Sequence, residues 1–147
     1  MNIDELYQTI ILDHYREKHH SGLRDGYDVE VHHVNPSCGD ELTLRVHLDG
    51  GTVRDISYHA EGCSISQAST SVMTDLLIGG DTASALDLHD KFLEMMQSQG
   101  QIEPDEDTFE DAIAFAGVSK FPARVKCALL GWSAMRDATL QATAKEN

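Results

Sequence analysis

Apolar residues Ile3, Leu6, Tyr7, Ile10 and Tyr15 recur at helical spacing in IDELYQTIILDHYREK, which predicts an amphipathic helix over residues 3–18. Asn2 followed by Glu5 has the form of a capping box at its start. Beyond the loop HHSGLRDGYD the period shortens to two. DVEVHHV is β-branched, ELTLRVHL alternates Leu42, Leu44, Val46 and Leu48, and TVRDISYHA is rich in strand formers. DGG at 49–51 is a hairpin signal, so three antiparallel strands are expected. After EGC at 61–63 the pattern turns helical again. SISQASTSVMTDLLIGG places Ile65, Ala68, Val72, Met73 and Leu76 near one face and ends on a glycine stop. TASALDLHDKFLEMMQSQG reads as a further helix capped by Asp81 or Thr82, with Phe92, Met95 and Met96 in the core. EPDEDTFED, residues 103–111, reads as a solvated acidic linker or a helix start. FPARVKCALLGWSAMRDATLQATA opens on Pro122 and sets Val125, Leu129 and Trp132 on one face. Strands first and helices afterwards imply an α+β fold: a three-stranded antiparallel sheet with an N-terminal helix and C-terminal helices packed on one side.

Length and charge narrow the partners. The 147 residues suffice for one domain with a proper core, so 1–147 is read as a single domain. No apolar run approaches the length of a bilayer crossing, and MNIDELYQTI lacks a basic start followed by an apolar stretch. A cytoplasmic protein with no membrane partner is expected. Twenty-five acidic against 11 basic residues give a formal net charge of −14, which argues against nucleic acid as a partner. The same sign suits solubility and docking onto a basic patch of another protein.

Three cysteines cannot all pair within one chain, and a reducing compartment does not favour disulfides. Cys38 falls in the loop between the first two strands, Cys63 follows the third strand and opens a helix, and Cys127 lies in the first turns of the last helix. All three are placed at element boundaries rather than in mid-core. Cys38 and Asp40, two positions apart, would point to one side of an extended segment. Cys63 would feel the helix dipole and free N–H groups that favour a thiolate. Three thiols and a carboxylate are a donor set that tetrahedral zinc accepts, yet no CxxC pair is present. Spacing therefore leaves a shared metal site and three unrelated thiols both open.

NPSCGD, GCSISQASTSVMTDLLIGG and FPARVKCALLGW together resemble the three signature segments of U-type iron–sulfur cluster assembly proteins, in the family's order and across nearly the whole chain. The scaffold (IscU-like) branch carries a histidine immediately before the last cysteine and a shorter interval ahead of it. Here Lys126 holds that position, and DTASALDLHDKFLEMMQSQGQIEPDEDTF lengthens the interval, as in the SufU branch. The resemblance implies a zinc-dependent sulfur-transfer protein with Cys38, Asp40, Cys63 and Cys127 on Zn2+. It further implies a cysteine desulfurase (SufS-like) as persulfide donor and downstream iron–sulfur scaffold proteins as receivers. One ligand must leave when the partner docks, with a group from the desulfurase filling the vacancy. Cys38, on a Gly-flanked loop, is the expected acceptor. Arg124, one turn before Cys127, is expected to contact the partner or to support the site from behind its ligands. Two other functions remain open: a scaffold that assembles an iron–sulfur cluster on the same ligands, and a zinc-stabilised adaptor without transfer chemistry. His32 and His33 are read as surface or packing residues. His14, His19 and His20 gather near a helix end, where interaction with the helix dipole suffices to explain them.

Overall fold

The sheet runs in the order β1 (Val29–Asn35), β2 (Asp40–Asp49), β3 (Thr52–Glu61), antiparallel throughout, with Val29 opposite Val46, Asn35 opposite Asp40 and Asp49 opposite Thr52. A computed structural model describes residues 3–146 of the chain, so the Asn2 half of the expected capping box lies outside the described residues. The alternation in β2 does what it predicts: Leu42, Leu44 and Val46 are buried, with Val29 and Val31 of β1 and Ile56 and Tyr58 of β3. Helices α1 (Ile3–Glu17), α2 (Ser64–Leu77), α3 (Thr82–Met96), the single turn α4 (Glu106–Phe109) and α5 (Pro122–Glu146) complete the α+β fold, packed on one side of the sheet. No described helix is long and apolar enough to cross a membrane.

The two edges of the sheet differ. β3 is covered by backbone: Gly22 N–H donates to Tyr58 O at 2.8 Å, Gly79 N–H to Val53 O at 2.8 Å, and Val53 N–H to Gly80 O at 2.7 Å. Among the described residues no segment pairs with the outer edge of β1.

Helix α2 is the central element. The expected apolar face is present, but all nine residues from Ser66 to Thr74 are buried, polar ones included. The hydroxyls make this tolerable because each finds an acceptor or donor close by. Thr70 Oγ1 donates to Ser66 O at 2.9 Å and Thr74 Oγ1 to Ser71 O at 2.7 Å. Ser69 Oγ donates to Ala128 O of α5 at 2.7 Å and accepts Trp132 Nε1–H at 3.1 Å. Trp132 in turn stacks on Phe92 of α3, ring centroids 4.3 Å apart, which ties α2, α3 and α5 into one core. Met95 and Met96 are buried there as expected.

One expectation needs correction and one is decided between its alternatives. In α1 the inward stripe is the buried His14 with the half-buried Tyr7, Ile10, Ile11 and Tyr15, whereas Ile3 and Leu6 are exposed. The helix turns its first apolar pair to solvent because the core contacts begin one turn later. For the acidic stretch, the helix start is the alternative the structure takes, with its carboxylates exposed. Asp105 caps α4 by accepting Asp107 N–H at 3.2 Å, and Phe109, Ala112, Ala114 and Phe115 behind it enter the core. Its charges and its apolar residues simply occupy different faces of short helical turns.

Candidate metal centre

The β1–β2 connection brings Cys38 and Asp40 together by a turn, not by the extended alternation expected from their spacing. Cys38 N–H and Gly39 N–H both reach back to Asn35 O, at 3.3 and 2.9 Å, and Gly39 takes φ +72°, which glycine adopts without a Cβ penalty. The turn leaves Cys38 exposed while Asp40, the first residue of β2, is fully buried.

Asp40 is held from the neighbouring strand end. Its Oδ1 accepts the N–H of Cys63 at 2.8 Å, and its Oδ2 lies 3.7 Å from Cys63 Sγ. Cys63 is the N-cap of α2, and its side chain caps nothing, so the sulfur is left to the group of donors. The carboxylate thus sits at the positive end of the helix. From α5 comes Cys127, buried, with Sγ 3.0 Å from Cys38 Sγ. Donor atoms of Cys38, Asp40 and Cys127 all fall within 4.8 Å of one another. The boundary positions read from sequence hold, but Cys127 belongs to the core rather than the surface. Burial pushes its thiol well above the usual range, and the adjoining Cys38, Asp40 and Cys63 push the same way.

The fit to a cation follows from charge. A buried carboxylate without a cationic partner is costly, and no Lys, Arg or His forms an ion pair with Asp40 among the described residues. Two sulfurs and one carboxylate oxygen converge where positive charge is missing; Cys63 stands outside that tight group but has its sulfur 3.7 Å from Asp40 Oδ2, and these four donors together are of the kind zinc accepts.

Sequence reading missed Gly62. At φ +141° a Cβ there would run into the Asp40 carboxylate and backbone, so only glycine lets β3 pass this close. Nothing in the string EGC signals that approach. Gly62→Ala is expected to push Asp40 away from Cys63 and cut metal affinity by at least about tenfold, as displaced support around a ligand does. Competition with a chromophoric chelator measures it, and unchanged affinity would sink this role for Gly62.

Arg124 is exposed near the start of α5 and makes no ion pair among the described residues. It lines a groove of about 580 Å³ with Tyr7, Ile11, Ile65 and Phe121, beginning one residue beyond Cys63. The other candidates stand outside the donor group. His32 Nδ1 meets Thr43 Oγ1 at 2.9 Å and His33 Nε2 meets Asp137 of α5 at 2.9 Å, which are packing and surface roles. His14 and His19 do more than face a helix dipole, since both are engaged by side chains of other segments.

Comparison with known proteins gives the assignment: the chain belongs to the NifU-like N-terminal domain family, whose pattern matches residues 6–128. It is 44% identical over 135 residues to the zinc-dependent sulfurtransferase SufU of Bacillus subtilis strain 168, covering 91% of this chain and 89% of that one. To the iron–sulfur cluster assembly scaffold protein IscU of Streptococcus pyogenes serotype M1 it is 42% identical over 136 residues, covering 92% and 84%. A solved structure from Fervidobacterium islandicum AW-1, a candidate iron–sulfur cluster assembly scaffold protein for the SUF system, superposes with a TM-score of 0.83 at 34% identity. It covers 94% of this chain and 99% of its own.

Proposed function

We propose that this chain is a zinc-dependent sulfur-transfer protein. Cys38, Asp40, Cys63 and Cys127 hold one Zn2+, and Cys38 takes sulfur from a persulfide on a cysteine desulfurase for delivery to iron–sulfur scaffold proteins. The observation that carries this reading is the unequal exposure of the donors: Cys38 is exposed on a turn, while Asp40 and Cys127 are buried and Cys63 is partly covered. A donor set meant only to hold the fold together has no reason to offer one sulfur to a partner. Bound zinc would keep the thiols deprotonated and, being redox-inert, protect them from oxidation.

The chain's own residues account for the transfer. Cys38 Sγ, as thiolate, attacks the terminal sulfur of the donor persulfide. A new S–S bond forms at Cys38, the donor's S–S bond breaks, and the donor cysteine leaves as thiolate. The sulfane sulfur moves with its oxidation state unchanged, so no external oxidant is needed. Asp40, Cys63 and Cys127 stay in place because a strand pair and two helix ends fix them. Lys126 beside Cys127, with a carboxylate among the donors where a cluster would favour thiolate, supports transfer over cluster building.

The test combines two readings. Aerobically purified protein is expected to be colourless with about one zinc per chain, and to accelerate cysteine turnover by a cysteine desulfurase. A coloured cluster in place of zinc, or no acceleration, overturns the proposal. Arg124 supplies a finer test, because an unpaired cation at the groove beside the site suits an acidic or carbonyl-rich partner loop. Arg124→Ala is expected to lower desulfurase activation about fivefold to tenfold at limiting protein, in line with a lost charge contact of roughly 1 kcal/mol or a little more, with zinc content unchanged. Equal activation by both proteins removes Arg124 from the interface.

A further inference from the structure

A second group of metal-ligating side chains lies where α1 ends against the C-terminal part of α2, the helix that Cys63 caps at its other end. His14, on the last turn of α1, is 4% exposed. His19 lies just after α1, and Asp75 lies on α2. Each offers a donor atom, and the three atoms lie within 4.8 Å of one another.

The hydrogen bonds around the two imidazoles select which nitrogens face inward. His14 Nε2 meets Asp111 Oδ2 at 2.8 Å, and His19 Nε2 meets Glu17 Oε2 at 2.7 Å. Both rings therefore turn the same nitrogen outward to a carboxylate. That is the support metal-ligating histidines receive: a carboxylate holds the Nε2 proton, orients the ring and turns Nδ1 toward the other donors. His14 Nδ1 faces Ser71 Oγ at 2.8 Å, and His19 Nδ1 faces Asp75 Oδ2 at 2.6 Å. His20 Nε2 lies 3.3 Å from the other Asp75 oxygen.

We propose that His14 Nδ1, His19 Nδ1 and Asp75 form a second site for a divalent transition-metal ion of the Zn2+, Co2+ or Ni2+ class. Two imidazoles and one carboxylate suit such ions better than Ca2+ or Mg2+, which take oxygen ligands. In the metal-free arrangement a proton on His19 bridges it to Asp75, and the hydrogen bonds His19 donates to Glu17 and Asp75 raise its affinity for that proton. The ion takes the proton's place. His14 is fixed by burial, whereas the side chains of His19 and Asp75 are 34% and 40% exposed, which gives the ion a route in and lets the ligands close on it. Bound there, it pins the loop after α1 to α2 and, through Asp111, to the turn behind α4.

Co2+ separates this site from the cysteines by its absorption spectrum, because thiolate ligation adds intense sulfur-to-metal charge-transfer bands that nitrogen and oxygen ligands lack. Titrating protein that carries one equivalent of zinc with Co2+ is expected to show one further equivalent at micromolar concentration, with weak visible bands only. His19→Ala and Asp75→Asn each abolish it. Asp111→Asn weakens it by about ten- to a hundredfold through the lost tautomer support, and His59→Ala leaves it untouched. Binding only at millimolar Co2+ marks an adventitious ion only and overturns the proposal. So does a further equivalent that survives in both His19→Ala and Asp75→Asn, or one that carries charge-transfer bands.

Discussion

Cys38→Ser is expected to leave a folded protein that no longer accepts persulfide sulfur. The fold has little stake in this side chain: it sits exposed on the 36–39 turn, and its sulfur meets Ala123 O at 3.9 Å and the Cys127 sulfur at 3.0 Å. A surface replacement of this kind shifts stability by no more than about 0.5 kcal/mol before metal binding is counted. The chemistry loses everything, because a hydroxyl supplies no appreciable anion at neutral pH where a thiol does. A fall of at least about a hundredfold in sulfur acceptance follows. Mass spectrometry after one turnover with desulfurase and cysteine, under conditions that preserve persulfides, reads the result directly. In the parent protein the extra sulfur, about 32 mass units, belongs on the peptide holding Cys38. Finding it only on the Cys63 or Cys127 peptide shows that sulfur enters elsewhere, and the acceptor assignment fails. Asp40→Ala makes a useful companion, since it keeps three thiols and removes only the carboxylate that holds Cys63 N–H.

Cys127→Ala has the opposite profile: large for stability as well as for function. Its sulfur is buried against Cys38 at the start of α5, so truncation leaves a small void worth roughly 1 kcal/mol and removes a proposed ligand. Loss of a tightly held metal costs more, about 4 kcal/mol at a free metal concentration a thousandfold above the dissociation constant. Together the variant is expected to melt well below the parent and to contain little zinc. A chelator supplies the control, because it should lower the parent's melting temperature by most of the same amount and leave Cys127→Ala nearly unmoved. Parental zinc content in the variant would take Cys127 out of the ligand set.

The elements were legible because their periods were clean. Leu42, Leu44 and Val46 alternate in β2 and are buried, and Pro122 opens α5 where a first-turn proline belongs. The meeting of Cys38, Asp40 and Cys127 was legible too, since cysteines at element boundaries are few and their flanks resemble a known set. What escaped was set by packing rather than by pattern. Helix α2 reads as amphipathic, yet its serines and threonines are buried, because short hydroxyl side chains satisfy themselves on nearby carbonyls and leave no trace in a hydrophobic periodicity. Gly62 escaped because the need for it comes from Asp40, 22 positions away in sequence. The pairing of His14 with Asp111 spans still more chain, and no local pattern records it.

The uneven cover of the sheet bears on how copies of this protein meet one another. The open edge of β1 offers a row of backbone donors and acceptors to any extended strand, with Val34 exposed beside it. The strand is only seven residues long, Pro36 follows it directly, and Glu30 and Arg45 bear charge alongside. Beyond that, two copies approach with a formal charge of −14 each. The edge is defended by mutual repulsion more than by shielding. Such a defence has a range of about 8 Å at physiological ionic strength. It shortens as salt is added and fades as acid neutralises the carboxylates, so turbidity in this protein belongs to concentrated brine and low pH.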